Sequence, residues 1–266
     1  SGIQILASVG EAYGTLFGTS YVRDANGNVV VDANGLPKIS TTNKTLGKFT
    51  PDWTGGISNT FSYRSLSLSF LIDASVGGSI FSNTNKTGKY TGVLANTLSG
   101  RDAEHGGLWY YTAAMGNNVR LPESPSYSVS SDGLYYAQVN GQSTRVYQDG
   151  IMVEGVTESG SKNEEVVSAE KYYHRIYSIA EANVYDASYV KLREVALSYR
   201  LPRLWTQKLH LQEASVTLTG RNLWTIYKSV PNIDPESALT TGNAQGVEAY
   251  SLPTTRSFGV NLSVKF

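Results

Sequence analysis

The final ten residues, SFGVNLSVKF, alternate between bulky apolar residues and small or polar ones. Successive side chains of a β-strand point to opposite faces, so this segment predicts a strand with one apolar face and one polar face. A long strand of this kind packs its apolar face against either a second sheet or lipid. The apolar face consists of Phe258, Val260, Leu262, Val264 and Phe266.

Period-two alternation recurs elsewhere in the chain. The adjacent segments GGISNTFSYR and SLSLSFLIDASV predict a hairpin around Arg64. Two further strands are predicted over 188–201 and 214–225, and weaker ones in the first 22 residues. Many glycines and tyrosines, together with polar loops, favour an all-β fold.

The strand over 188–201 contains a conflict of phase. Val195, Leu197 and Tyr199 share a face, but unbroken alternation would put Lys191 and Arg193 on that face too. Either a β-bulge near Arg193 reverses the phase, or this end of the strand extends beyond the apolar layer. The alternation alone leaves both explanations open.

Charge and composition exclude several functions. Lysine plus arginine equals aspartate plus glutamate, so the sequence predicts no nucleic-acid partner. No cysteine is present, and the three histidines lack metal-ligand spacing. The sequence therefore predicts no metal site, no cofactor, no catalytic residues and no enzymatic activity.

Strand and loop lengths distinguish two architectures. The predicted strands match the roughly 9–11 residues of a transmembrane barrel strand better than the roughly 5–6 of a typical soluble strand. Short and long connections also alternate, with a short one at 202–213, a long one at 226–253 and one of about 110 residues before 188. This alternation favours a membrane barrel and puts the short connections on the periplasmic side.

Several segments resemble the SusC/RagA family of TonB-linked outer-membrane transporters of Bacteroidetes. The C-terminal ones are NVYDASYVKLREVALSYRLP, SVTLTGRNLWTIYKSVPNIDPES and TTRSFGVNLSVKF, and the upstream ones are LGKFTPDWTGGISNTFSYRSLSLSFLIDASVGGSIFS and TGVLANTLSGRD. The matching positions are Asp186, Ala187, Ser188, Tyr189, Val190 and Leu192, then Arg221, Asn222 and Leu223, then Asp234, Pro235 and Glu236. We expect these positions to be signatures of the fold rather than ligand contacts.

This resemblance implies an architecture and a location. The fold would be all-β, formed by the C-terminal antiparallel strands of a transmembrane barrel of about 22 strands with long extracellular loops. Residues 1–266 would be the C-terminal part of that barrel in a bacterial outer membrane, with the plug and N-terminal domains absent from this sequence. Five or six strands cannot close a barrel, so a longer polypeptide is expected.

The resemblance also implies a function and partners. The whole protein would import a bulky nutrient such as an oligosaccharide or a peptide. Its partners would be a SusD-like lipoprotein lid, TonB through the missing N-terminal part, outer-membrane lipid and the barrel-assembly machinery. The apolar residues of the final strand, which ends on Phe266, would be the signal that this machinery binds.

The long connection over 77–184 is rich in aromatic residues. Flat amphipathic rings suit stacking on sugars or packing against a partner protein, and the connection would face outside the cell. The alternative is that these rings only pack the connection together. The candidates for substrate or lid contact are Trp109, Tyr110, Tyr111, Tyr135, Tyr136 and Tyr147.

Two other functions remain open from the sequence. The chain could form a secreted β-sandwich that acts as an adhesin or glycan-binding module. It could also be a SusC-like scaffold subunit of another outer-membrane complex that no longer imports anything.

Overall fold

The structure, a computed structural model, describes residues 2–7, 9–237, 242 and 245–266. Strands dominate, with few helices, in agreement with the all-β prediction at this coarse level. The chain divides into two compact units. Unit 1 comprises Ser1–Leu6, Leu16–Leu46 and Phe81–Val184, and unit 2 comprises Ala7–Thr15, Gly47–Ile80 and Tyr185–Phe266.

The strands are numbered in chain order. They are β1 (Ile3–Leu6), β2 (Thr15–Gly18), β3 (Lys44–Lys48), β4 (Trp53–Tyr63), β5 (Leu66–Val76), β6 (Ser79–Ser82), β7 (Leu108–Thr112), β8 (Asn118–Arg120), β9 (Tyr127–Val129), β10 (Tyr135–Val139), β11 (Gln142–Met152), β12 (Val166–Ser168), β13 (Val184–Asp186), β14 (Tyr189–Arg200), β15 (Glu213–Lys228), β16 (Val247–Glu248) and β17 (Ser257–Lys265).

The helices are short: α1 (Asn83–Thr91), α2 (Ala169–Tyr177) and α3 (Arg203–Lys208). Serine side chains cap the first two, because Ser82 accepts a hydrogen bond from the Asn85 amide and Ser168 one from the Lys171 amide. None of the helices in the described residues is long and apolar enough to cross a membrane.

Unit 1 contains a sheet with strand order β8-β7-β11-β10-β9, to which β12 adds by pairing with β11. One hydrophobic cluster is centred on Trp109, Ala137 and Val146. A second cluster contains Val31 and Val153, with Tyr172 of α2 packed against it. The long connection over 77–184 therefore has strands and helices of its own, and the cluster around Trp109 lies wholly within it.

Unit 2 contains an antiparallel sheet with strand order β17-β15-β14-β5-β4. The predicted hairpin is confirmed, because β4 pairs with β5 in unbroken register up to Tyr63↔Leu66. Arg64 forms the turn with φ 54°, a left-handed conformation that is uncommon outside glycine and asparagine.

A β-bulge resolves the phase conflict in β14. Leu192 pairs with Ile72 and Glu194 with Leu71, so two steps along β14 match one step along β5 and Arg193 is the extra residue. The bulge reverses the alternation. Apolar residues of β14 therefore stay on one face at both ends of the strand, and Lys191 lies on the other face.

The register brings most of the apolar residues of the five strands onto one face, which we call the apolar face, while Leu71 lies on the opposite face. The side chains of the apolar face are largely exposed, as shown by Ile57 at 66%. Nothing in the described residues covers this face as a second sheet would. Its exposed residues include Trp53, Ile57, Phe61, Tyr63, Leu66, Leu68, Leu197, Tyr199, Leu218, Trp224, Phe258, Val260 and Leu262.

The opposite face of this sheet, which we call the polar face, carries small polar side chains. At one level of the register, Ser62, Ser67, Ser198, Thr217 and Asn261 lie across all five strands. The hydroxyl oxygens of Ser62 and Ser67 are 2.9 Å apart, and those of Ser198 and Thr217 are 2.7 Å apart. The sheet is therefore strongly two-sided.

Candidate functional site

The six aromatic residues proposed from the sequence lie on three neighbouring strands of the unit 1 sheet. Side chains alternate along each strand and paired residues share a face. The pairs Tyr135↔Val146 and Tyr147↔Tyr110 therefore divide the six residues between the two faces. Trp109, Tyr111 and Tyr135 lie on one face, and Tyr110, Tyr136 and Tyr147 lie on the other.

Trp109 is the centre of the first group and is only 5% exposed. Its indole stacks on Tyr127 with ring centroids 4.9 Å apart and meets Tyr135 edge-on at 5.5 Å. Tyr127 was missed by the sequence analysis, although it alternates with serines in the segment SYSVS. This group forms a packed aromatic core.

Tyr110 is the buried member of the second group. Its ring stacks on Tyr147 at 5.2 Å, and its hydroxyl donates a hydrogen bond to Asp149 at 3.2 Å. Burial, reinforced by the negative charge of Asp149, raises the pKa of Tyr110 well above its usual range. Arg145 covers the ring of Tyr147 at 4.9 Å.

These contacts limit what the six residues can offer to a ligand. The rings of Trp109 and Tyr110 are used inside unit 1, as the packing alternative expected. Tyr111, Tyr136 and Tyr147 are only partly buried and keep some surface. A role of the six residues in substrate or lid contact stays a prediction.

Unit 1 also contains a cleft of about 660 Å³, a volume typical of small-molecule sites. None of the six proposed aromatic residues lines it. Its aromatic wall comes from Tyr21, Tyr172 and Tyr173, and its apolar wall includes Leu108 and Ile151. The signal for two of these tyrosines was in the segment KYYHRIYS, which the sequence analysis did not use for a site.

Two polar side chains that line the cleft donate hydrogen bonds to backbone carbonyl oxygens. Tyr173 donates to the carbonyl oxygens of Asn96 and Ser99 at 3.2 and 3.1 Å. Lys89 Nζ donates to the Ala182 carbonyl oxygen at 2.8 Å, and burial lowers the pKa of Lys89 to about 8. The cleft is thus partly aromatic, and backbone carbonyl oxygens orient two of its polar side chains.

A cluster of five charged residues lies on the polar face of the unit 2 sheet. Lys191, only 3% exposed at its side chain, donates to Asp234 at 2.5 Å and to Glu236 at 2.6 Å. Arg193 donates to Asp73 of β5 from two nitrogens, at 2.9 and 2.7 Å. Arg193 also pairs with Glu236. We call these five residues the charged cluster.

The charged cluster fixes the connection after β15 against the sheet. Asp234 accepts hydrogen bonds from Lys191 and, at 2.5 Å, from the Thr254 hydroxyl. Burial raises the pKa of Asp234, but these hydrogen bonds outweigh burial and lower it to about 2. Each carboxylate of the cluster has a cationic partner, so the arrangement is structural and offers no free acid or base.

The charged cluster explains two of the sequence motifs. The DASYVKLR segment supplies Lys191 and Arg193, and the DPE segment supplies Asp234 and Glu236. The signal for the contact was the pair of cations that broke the apolar alternation. Among the described residues, no group of three or more histidine, aspartate or glutamate side chains is arranged to hold a metal ion.

The proposed insertion signal lies on β17. Phe258, Val260, Leu262 and Val264 pair with Gly220, Leu218, Val216 and Ala214 of β15, so all four belong to the apolar face. Phe266 follows the strand and is exposed. Its role in barrel assembly stays a prediction.

One curated protein resembles this chain over nearly its whole length. No family model matches the chain. A curated relative, TonB-dependent receptor P3 of Formosa agariphila, is 26% identical over 263 residues, which is 96% of this chain and 20% of the relative. The chain therefore spans about one fifth of the length of the curated relative that it matches.

Solved structures of a RagAB peptide importer also align with the whole chain. The closed-closed state gives a TM-score of 0.49 at 17% identity and the open-open state 0.47 at 15%, covering 25% and 24% of those chains. The resemblance to TonB-linked receptors that the sequence motifs indicated is confirmed by the curated relative over nearly the whole chain.

Proposed function

We propose that this chain is part of the barrel of an outer-membrane, TonB-dependent transporter that imports a bulky nutrient. The observation that supports this proposal is the continuous exposed apolar face of the five-stranded sheet, opposite a face of serine, threonine and charged residues. Soluble monomers rarely expose an apolar patch of this extent. In a barrel wall the apolar face would contact lipid and the polar face would line the lumen.

The height of the apolar face suits a bilayer. Strand β4 has 11 residues from Trp53 to Tyr63, both exposed aromatics. Ten steps of about 3.3 Å, tilted by about 40°, cover roughly 25 Å along the membrane normal. Aromatic residues at the two ends of an apolar band of this height are typical of barrels.

Under this proposal the five strands belong to a larger closed barrel, because both edge strands would otherwise leave backbone groups unpaired in lipid. The proposed partners are a SusD-like lipoprotein lid, TonB acting through a part of the protein outside this chain, and the barrel-assembly machinery. The RagAB structures are described as those of a peptide importer. An oligosaccharide or a peptide remains the proposed substrate class.

Spin labels on adjacent residues of β4 test the proposal. Ile57 and Ser58 are both exposed and lie on opposite faces of the sheet. We expect a label at Ile57→Cys in the native protein in bilayers to collide with oxygen, which concentrates in lipid. We expect a label at Ser58→Cys to collide with a water-soluble nickel complex. The chain has no cysteine of its own to interfere.

A label at Ile57→Cys that is reached only by the nickel complex would contradict the proposal. A soluble, monodisperse protein without detergent would favour the secreted β-sandwich instead. A membrane-embedded protein that never accumulates a nutrient in a TonB-dependent way would favour the scaffold subunit.

A further inference from the structure

We propose that the end of the unit 2 sheet carrying the short connections binds anionic phospholipid headgroups through α3 and the cations around it. This end consists of residues 62–67, 199–213 and 263–266, and we call it the basic end. The inference rests on the proposed membrane location and adds a lipid class and a binding segment to it.

Helix α3 displays its large apolar side chains instead of burying them. Thr206 is the buried residue of the helix, while Leu204 and Trp205 of the helix and Leu209 directly after it are exposed, Trp205 at 58%. Exposed tryptophan and leucine next to basic residues are typical of segments that lie in the membrane interface. In RLWTQKL, Arg203 directly precedes Leu204, and Lys208 directly precedes Leu209.

The charges of the basic end have one dominant sign. The basic end contains five lysine and arginine side chains and only one side-chain carboxylate, that of Glu213. Glu213 pairs with Arg200 at 3.0 Å. The cations not paired with it are Arg64, Arg203, Lys208 and Lys265. In a chain with no net charge, this local excess of positive charge complements an anionic surface.

The position of α3 favours lipid over a protein partner. The helix connects β14 to β15, and Tyr199, at the end of β14, belongs to the apolar face. Tyr63 lies at the same end of the sheet, with Arg64 stacked on its ring at 5.2 Å. Exposed apolar surface thus continues from the apolar face into a rim of aromatic and cationic side chains, which matches the order of hydrocarbon and headgroups in a bilayer.

The depth of α3 is measured on the native protein in bilayers with a spin label at Trp205→Cys, alongside the label at Ile57→Cys. We expect the label at residue 205 to lie at the headgroup level and the label at residue 57 in hydrocarbon. A label at residue 205 that is fully in water, or shielded by protein from both collision reagents, would overturn the inference while the proposed function stands. A label at residue 57 in water would remove the proposed function itself.

Lipid selectivity is measured on the native protein in nanodiscs, as the amount of fluorescent phosphatidylglycerol that the protein retains when phosphatidylcholine competes with it. We expect the double variant Arg203→Gln/Lys208→Gln to retain phosphatidylglycerol roughly tenfold less well, because each cation near an anionic surface adds to its attraction. The matched control Lys44→Gln/Lys162→Gln removes the same charge from exposed positions of unit 1 and should change nothing. Equal losses in both double variants, or no loss in either, would overturn the inference.

Discussion

The two units use the same residue types in opposite ways. In unit 1 the indole of Trp109 is buried among tyrosines, whereas in unit 2 Trp53 is 57% exposed on the apolar face. Unit 1 thus packs its aromatics as a water-soluble protein does, while unit 2 buries charged groups such as Lys191 and displays apolar ones. The difference indicates that the two units are built for different surroundings.

The comparison is tested most strongly by removing one tryptophan from each unit. We expect Trp109→Ala to destabilise unit 1 by about 3–5 kcal/mol, because it leaves a cavity in a packed aromatic cluster. Trp53→Ala, on an exposed site, should cost less than about 1 kcal/mol. Hydrogen exchange of the β7 and β11 amides would report the first loss, and equal effects of the two variants would contradict the contrast.

Much of the five-stranded sheet could be predicted from the sequence, because period-two alternation is a local signal. The bulge at Arg193 could not be predicted, because the same sequence pattern was compatible with a bulge and with a regular strand that extends beyond the apolar layer. The charged cluster joins Lys191 to Asp234 across 43 positions, and no local pattern specifies such a pairing. Burial of Trp109 likewise depends on Tyr127 and Tyr135 from other strands.

A second test concerns the buried charges of unit 2. We expect Lys191→Met to cost about 3 kcal/mol, because it leaves Asp234 with a buried and uncompensated charge. The matched control Arg221→Met breaks an exposed pair with Glu194 on the same sheet and should cost less than about 1 kcal/mol. Urea denaturation in detergent measures both, and equal costs would show that the charged cluster does not anchor the connection.

A third test inserts the same charge on either side of the sheet. Ile57 lies four residues from Trp53 and six from Tyr63, near the middle of β4. We expect Ile57→Arg to destabilise the membrane-inserted protein by about 2 kcal/mol, since arginine at that depth faces lipid. Ser58→Arg, on the polar face, should be nearly neutral. Heat-modifiable migration in detergent gels reports folding. A larger loss of stability in Ser58→Arg than in Ile57→Arg would indicate that the polar face contacts lipid and would contradict the proposal.

The smallest expected effect is a pH dependence confined to unit 1. Burial lowers the pKa of Lys89 to about 8 from the model-peptide value of 10.5, so the unfolded chain binds this proton more tightly than the folded one. Stability should therefore rise with pH, by about 1 kcal/mol between pH 7 and pH 9. Thermal unfolding monitored by hydrogen exchange in α1 measures this rise.

The control for this pH effect is Lys89→Met, which lacks the titrating group and should lose the rise while keeping a side chain of similar length. A variant that keeps the full slope would assign it to another group. The pKa shift of Lys89 also bears on the comparison of the two units. Burial disfavours the charged form of Lys89 in unit 1, whereas hydrogen bonds from Lys191 and Thr254 keep Asp234 of unit 2 charged. Both pKa values are lowered, but a lower pKa favours the neutral form of Lys89 and the charged form of Asp234. The two shifts thus distinguish a desolvated cation in unit 1 from a compensated ion pair in unit 2.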